Sequence, residues 1–267
     1  MTTLPDVTGV EVELDNGWLT IWFDQPDTRN ALTDDLVDGI TRTLQAVRDD
    51  RTVRGITLRG RHGVFCAGGN LKQFKESFQG GGSRDDIITM SKGAAELFDL
   101  INDAPQVVIA IIEGAAMAGG FGMACCADVV ICEAGAKFAM TETAIGISPA
   151  QIAPFVIQKL GYATGRRLML TAARFDGRGA HDLGFADVLA EDVDGLNAAE
   201  QQIRSQVLKC APGAIADTKS LILSLPGMSR TDVVQAAAEN FAGRLLSDEG
   251  REGVASFLEK RKPNWAQ

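Results

Sequence analysis

Two glycine-bearing segments constrain this 267-residue chain more than any other part of it. One is Phe65-Cys66-Ala67-Gly68-Gly69-Asn70-Leu71-Lys72. The other is Glu113-Gly114-Ala115-Ala116-Met117-Ala118-Gly119-Gly120-Phe121-Gly122, which runs on into Met123-Ala124-Cys125-Cys126-Ala127-Asp128. Each follows an apolar run that reads as a buried strand, Val53 to Leu58 and Gln106 to Ile112, the second rich in β-branched residues. Two such loops, facing each other, aim two peptide N–H groups at one oxygen, which is what chemistry through an enolate-like anion requires. No other catalytic apparatus stands out in the chain.

The length allows one large domain, or one domain with an appendage. There is no run of about 18 apolar residues, so no membrane span is expected. Met1-Thr2-Thr3-Leu4-Pro5-Asp6 lacks both a basic start and an apolar core, so no secretory leader is expected either. The five cysteines are odd in number, lie in apolar contexts and form no CxxC spacing, which reads as free thiols in a reducing cytoplasm. A net charge of −9 argues against a broad nucleic-acid surface, while leaving room for a small basic pocket for a phosphorylated ligand. With two histidines, His62 and His181, and no pair at ligand spacing, neither a metal site nor a serine–histidine triad is expected.

The first half alternates strands with helices. Val10 to Leu14 and Leu19 to Phe23 flank Asp15-Asn16-Gly17, a hairpin pattern. Thr33 caps a predicted helix whose Leu36, Val37, Ile40, Leu44 and Val47 share one face. Gly80-Gly81-Gly82-Ser83 opens a helix running to about Asn102, in a polar surface segment. A short helix is expected near Gly120, then a strand from Asp128 to Cys132, then a helix opened by Ser148-Pro149 as cap and first position and running through Leu160. Gly165 to Ala172 continues helically, and from about Gly195 only helices are expected. Leu196, Ala199, Ile203 and Val207 share one face there, and Val233, Ala237, Phe241 and Leu245, after a Ser229/Asp232 capping box, another. The recurring strand–strand–helix unit suggests a spiral.

These residues resemble the crotonase family, the enoyl-CoA hydratases and isomerases. The resemblance runs along nearly the whole chain. It rests on Arg29-Asn30-Ala31-Leu32, both glycine loops, Ala136-Lys137-Phe138 leading to Glu142, and Phe257-Leu258-Glu259-Lys260-Arg261-Lys262. It implies an α/β fold: a spiral of ββα units over residues 1–194, CoA-binding and catalytic, with a helical trimerisation module over 195–267. It also implies an acyl-CoA substrate, no required cofactor beyond the coenzyme A the substrate carries, and a homotrimer or dimer of trimers.

By that resemblance the backbone amides of Gly69 and Gly119 hold the thioester oxygen, and Glu142, flanked by apolar residues, handles the proton at C2. Lys72 lies near the nucleotide, Arg29 and Ala31 flank the pantetheine path through backbone contacts, and Phe257 and Lys260 reach the adenine end of a neighbouring subunit's CoA. The plainer alternatives are tight turns for the glycines, surface charge for Lys72 and a solvated helix end for Lys260-Arg261-Lys262. Outside this set, His62 reads as a surface residue, and Cys66 and Cys125 lack a partner histidine. Glu113 is a further carboxylate that could stand near the site. Met90, Phe98 and Met140 read as packing, with Met140 and Phe155 as candidates for the acyl pocket.

The chain departs from the family pattern at Gly122, where standard hydratases carry a second glutamate that helps activate water. Ile145-Gly146-Ile147-Ser148-Pro149-Ala150-Gln151-Ile152-Ala153-Pro154-Phe155 also replaces a Pro-Gly-rich turn. With Cys125-Cys126, these features resemble the branch acting on 3-methylglutaconyl-CoA or isohexenylglutaconyl-CoA, whose second carboxylate could help fix the water. The leading expectation is therefore a hydratase (a lyase). An isomerase using Glu142 alone is the alternative within the family, and a non-catalytic scaffold or RNA-binding protein the alternative outside it.

Overall fold

Asn16 and Gly17 both take left-handed backbone, φ 48° and 76°, which makes the two-residue turn joining β1 (Val10–Asp15) to β2 (Trp18–Phe23). This is the hairpin the sequence predicts, in the computed structural model that describes residues 3–266. Met1 and Thr2 of the segment read for a leader lie outside the described residues. Beyond the hairpin come α1 (Asp34–Val47), β3 (Gly55–Gly60), α2 (Leu71–Gln79), α3 (Arg84–Asn102), β4 (Val107–Ile112), β5 (Ala115–Met117) and α4 (Gly119–Cys125). Next are β6 (Val129–Glu133), β7 (Lys137–Ala139), a 3₁₀ turn at Glu142–Ile145, α5 (Ala153–Thr171), β8 (Arg174–Asp176), α6 (Gly177–Asp182) and β9 (Val188–Ala190). The remainder is helical: α7 (Val193–Val207), α8 (Pro212–Ser224), α9 (Arg230–Leu246) and α10 (Asp248–Leu258), then a short 3₁₀ turn.

The strands form two sheets. The larger runs β1-β2-β3-β4-β6-β9, parallel throughout except for the opening hairpin; the smaller runs β5-β7-β8. Each turn of the spiral sends one strand to each sheet, as β4 with β5 and β6 with β7. The turn that starts at β3 contributes only a single bridged residue to the small sheet, Cys66 opposite Ala116.

Burial follows from covering both faces of the large sheet. Every residue of β3 is buried, which explains why it reads as continuous rather than alternating. One face meets α1 and α3 through Leu36, Ile40, Leu44, Leu97 and Ile101; the other packs Trp18, Ile109, Ile111 and Ile131 under Leu196 and Val207 of α7. Phe121 of α4 stacks on Phe185, their centroids 4.4 Å apart, and meets Phe138 of β7 edge-on at 6.1 Å, which anchors the short helix to the small sheet. Thr33 caps α1 as expected, its Oγ1 accepting from Leu36 N–H. Ser83 makes a reciprocal capping box with Asp86 at the start of α3.

Two points need correction. The helix after the Ser148-Pro149 pair begins later, at Ala153, with Pro154 in its first turn. Either proline is compatible with a first turn, and the choice falls to Pro154 because Ser148, Pro149 and Ala150 are used instead to wall a cavity. The helix's expected end at Leu160 agrees with the structure, where Gly161, φ 74°, interrupts the ladder before the helix resumes. Helix α2 has no counterpart in the sequence reading; Asn70, at the end of the first glycine loop, caps it by accepting from Gln73 N–H.

The all-helical C-terminal part starts where the pattern changes, near residue 193. Its later helices expose apolar side chains: Phe241 and Leu246 on α9 are each 67% exposed, and Phe257 and Leu258 on α10 are 83% and 74% exposed. The predicted stripe on α9 therefore finds no cover within the chain at Phe241 and Leu245. No helix of the described residues is long and apolar enough to cross a membrane.

Candidate active site

The small sheet aligns three remote segments. Cys66 stands opposite Ala116, and Ala116 opposite Phe138, in parallel register. Gly69 and Gly119 each lie three residues beyond their register position and Glu142 lies four beyond, all on the side where the strands end. All three line one cavity of about 280 Å³.

The backbone around the two glycines is tied down on every side. Ala67 N–H donates to the Arg29 carbonyl (3.1 Å), Leu32 N–H to the Gly68 carbonyl (2.8 Å), Met117 N–H to the Cys66 carbonyl (3.0 Å) and Ala118 N–H to the Ala139 carbonyl (2.8 Å). The N–H groups of Gly69 and Gly119 themselves find no acceptor among the described residues. An ideal Cβ on Gly119 would stand 3.9 Å from Gly69 N, so the two peptides converge, and 2.7 Å from Leu32 Cδ1, so a side chain at position 119 would displace the end of Leu32. Gly120 serves the same approach: a Cβ there would meet the Cys66 carbonyl oxygen at 2.7 Å.

Ala118 is the strained residue of the site. It holds φ 49° and ψ −120°, a region that side chains avoid. Its ψ sets the plane of the next peptide, and therefore the direction of the Gly119 N–H. Gly119 is also the first residue of α4, where backbone donors have no partner within the helix.

Glu142 opens the 3₁₀ turn after β7 and is only 9% exposed. Its Oε2 is buried and has no hydrogen-bond partner among the described residues. Burial raises its pKa above the ordinary glutamate value, with a smaller opposing contribution from its own backbone N–H. A carboxylate so raised is a stronger base than a solvated one, which suits it to taking up a proton during reaction. Two free amide donors and a raised carboxyl in one cavity can together stabilise an enolate oxygen and move a proton at the neighbouring carbon.

The rest of the cavity is mostly apolar, with Leu32, Phe74, Ala94, Ile145, Ile147 and Ile152 prominent; its remaining polar side chains are Ser91, Thr141, Ser148 and Gln151. Position 122 carries no second carboxylate, and Ile152 accounts for the space: a Cβ on Gly122 would lie 2.1 Å from Ile152 Cγ2. Larger hollows exist, about 730 Å³ beneath α7 and α8 and about 990 Å³ beside Trp18 and Trp265, but neither contains the glycine loops.

The other predicted residues fall as follows. Arg29, left-handed at φ 55°, and Ala31 flank the first loop without lining the cavity, and their carbonyls accept from Ala67 and Thr33. Lys72 is exposed in the first turn of α2, outside the cavity wall. Phe257 and Lys260, at the end of α10, do not reach the cavity of their own chain. Glu113 is no part of the site: Arg59 Nε donates to it at 2.6 Å, and Arg59 is held in turn by Asn197.

The packing assignments reverse in part. Met90 and Phe98 line the cavity, whereas Met140 and Phe155 do not. Met140 turns into the core because the chain is still leaving β7, and Phe155 supports Phe98 from behind with centroids 6.0 Å apart. His62 is a surface residue beside Asp24 (2.7 Å). Burial pushes the Cys66 thiol up to about 12 and raises Cys125 as well, which leaves both poor nucleophiles. Sequence reasoning missed Ala118, Ser91, Gln151 and Ile152. Only the glycines that follow Ala118 hinted at an unusual backbone there.

Known proteins share this fold and much of this sequence. The family model described as enoyl-CoA hydratase/isomerase matches residues 13–267. The solved structure of Pseudomonas aeruginosa AtuE is 41% identical with a TM-score of 0.93, over 97% of this chain and 100% of that one. An enoyl-CoA hydratase/isomerase from Marinobacter aquaeolei is 37% identical with a TM-score of 0.92, over 97% and 99%. A putative enoyl-CoA hydratase of Thermus thermophilus is 29% identical over 255 residues, 95% of this chain and all of the relative.

Proposed function

The chain belongs to the enoyl-CoA hydratase/isomerase family, and from that premise we propose that it is a lyase that adds water across the α,β double bond of an enoyl-CoA thioester. The observation that carries this reading is the cavity shared by the Gly69 and Gly119 amides and the unpartnered Glu142 Oε2.

In the proposed cycle the thioester oxygen accepts from both glycine N–H groups. Glu142, as carboxylate, takes a proton from water, whose oxygen bonds to C3. The double-bond electrons move to C2 and the thioester oxygen, giving the enolate that the two amides stabilise. One such donor is worth about 2.7–4 kcal/mol. The protonated Glu142 then returns a proton to C2. One group serves first as base and then as acid, which suits a site where Ile152 takes the room of a second carboxylate. Coenzyme A enters as part of the substrate, with Arg29, Ala31 and Lys72 as its nearest candidates on this chain. Phe257 and Lys260 would act from a neighbouring subunit of a trimer, for which the uncovered face of α9 and α10 provides a surface.

The finer reading is a branched glutaconyl-CoA substrate, 3-methylglutaconyl-CoA or isohexenylglutaconyl-CoA, whose second carboxylate helps hold the water that no second glutamate holds. A matched methyl ester should then be hydrated far more slowly, and equal turnover would exclude that role. The lone carboxylate also favours a second reading, double-bond isomerisation, in which Glu142 moves a proton between C4 and C2. Loss of the conjugated enoyl-thioester absorbance, with solvent oxygen appearing at C3, supports hydration. Deuterium at C2 and C4 without oxygen uptake would replace hydration with isomerisation.

A further inference from the structure

The cavity around Glu142 has a polar corner that the chemistry at C2 and C3 does not use. Ser91 on α3 and Gln151 just ahead of α5 both line it, and Gln151 Nε2 donates to Ser91 Oγ at 2.9 Å. Their neighbours on the wall, Met90, Ala94, Ile147 and Ile152, are apolar.

The donor inventory of this pair is incomplete. The Ser91 oxygen is occupied as an acceptor, which leaves its O–H to donate, and the Gln151 amide keeps a second hydrogen. Thr89, on the same helix, spends its hydroxyl on the Asp85 carbonyl (2.9 Å), but Ser91 makes no such bond among the described residues. Two donor atoms 2.9 Å apart thus stand on a wall whose immediate chain neighbours, Met90 and Ile152, are apolar, in a cavity whose other polar side chains are Thr141, Glu142 and Ser148. An apolar substituent placed there would strip water from both donors and return nothing; an acceptor satisfies both.

We propose that Ser91 and Gln151 determine specificity, together holding a hydrogen-bond-accepting group on the acyl chain, and a carboxylate best of all. This rests on the reading that an acyl thioester occupies the cavity. Among the described residues no lysine or arginine lines the cavity, so a fully buried anion would be costly there. Both side chains are only half-buried, which lets a carboxylate bind their two donors and keep water on its outer side. Charge-assisted bonds of this kind are stronger than neutral ones, so the pair prefers a carboxylate to an ester or amide.

The test is calorimetric binding of two saturated thioesters of equal chain length, glutaryl-CoA and pentanoyl-CoA, to the full-length protein. Neither can be hydrated, so binding is read apart from turnover. Wild type should bind glutaryl-CoA about tenfold or more tighter. Ser91→Ala and Gln151→Leu should each collapse that ratio towards one, and Gln151→Glu should invert it by like-charge repulsion. Equal affinities in wild type, a ratio that survives in all three variants, or no binding of either thioester would overturn the proposal. A clear ratio without turnover of any enoyl-CoA would defeat the hydratase reading alone; turnover without a ratio would defeat this inference alone.

Discussion

Ile152 occupies the space that any side chain at position 122 would need: a Cβ on Gly122 would lie 2.1 Å from Ile152 Cγ2 and 2.4 Å from its Cβ. The glycine and the isoleucine form one packing unit within the wall beside Glu142. Gly122→Ala should therefore destabilise by about 1–3 kcal/mol through overpacking, and Ile152→Ala should cost about 2–5 kcal/mol through the cavity it leaves. Together they should cost clearly less than the sum. Denaturant titration of the four proteins in the cycle measures this coupling, and simple additivity would refute it.

Glu142→Gln should retain acyl-CoA affinity and lose about 100-fold or more in turnover, the range of a general acid–base group. A variant turning over near the wild-type rate would end the assignment of proton transfer to this residue.

The same residue should leave a mark on stability. Its folded pKa is raised by burial, so folding favours the neutral form. Below the unfolded glutamate value, about 4.3, both states are protonated and nothing is lost. As pH rises past that value the unfolded chain ionises first, and stability declines until the folded pKa has also been passed. Glu142→Gln removes this loss. Its melting temperature relative to wild type should climb with pH from the acid side and then level off. Calorimetry across that range decides the matter, and a gap that shrinks with rising pH contradicts the assigned shift.

Activity should follow the same group in the opposite sense. The proposed cycle starts with Glu142 as a carboxylate, so kcat/KM should fall towards acid with a midpoint above the ordinary glutamate value, as burial demands. A midpoint at or below that value would mean that the group limiting the rate is solvated.

Ala118 offers a backbone test that leaves every polar group in place. With φ 49° and ψ −120°, it sets the direction of the Gly119 N–H. Ala118→Gly should be tolerated or slightly stabilising, because glycine relieves strain of order 1 kcal/mol. Ala118→Val should cost stability and, by turning the Gly119 amide, reduce kcat by up to about 10²–10³, the value of one oxyanion donor. Steady-state kinetics on folded protein separates the two effects. Unimpaired kcat in the valine variant would show that the residue does not aim the donor.

Much of the architecture is legible along the chain because it depends on neighbours in sequence. The turn at Asn16-Gly17, the caps at Thr33 and Ser83 and the stripe on α7 each rest on residues a few positions apart. The glycine loops could be located for the same reason. Helix α2 escaped because its cap, Asn70, stands at the end of a loop that already had a reading. Glu113 was misplaced because its partner, Arg59, lies on a different strand. Met90, Phe98, Met140 and Phe155 could not be sorted into wall and support, since that depends on where α3 and α5 settle.

By itself, the sequence determined the opening hairpin, the main strands and helices of the first half, the helical character of the C-terminal part and the two stretches of bare backbone, because propensity, periodicity and capping are local; Glu142 was singled out by family resemblance. The tertiary structure alone decided that Cys66, Ala116 and Phe138 share one register, that Ala118 bears the strain which turns a donor into the cavity, and that Ile152 fills the room beside Gly122. Those outcomes are contacts between segments tens of residues apart, fixed by excluded volume and by hydrogen bonds closed across the sheet, and no local pattern encodes them.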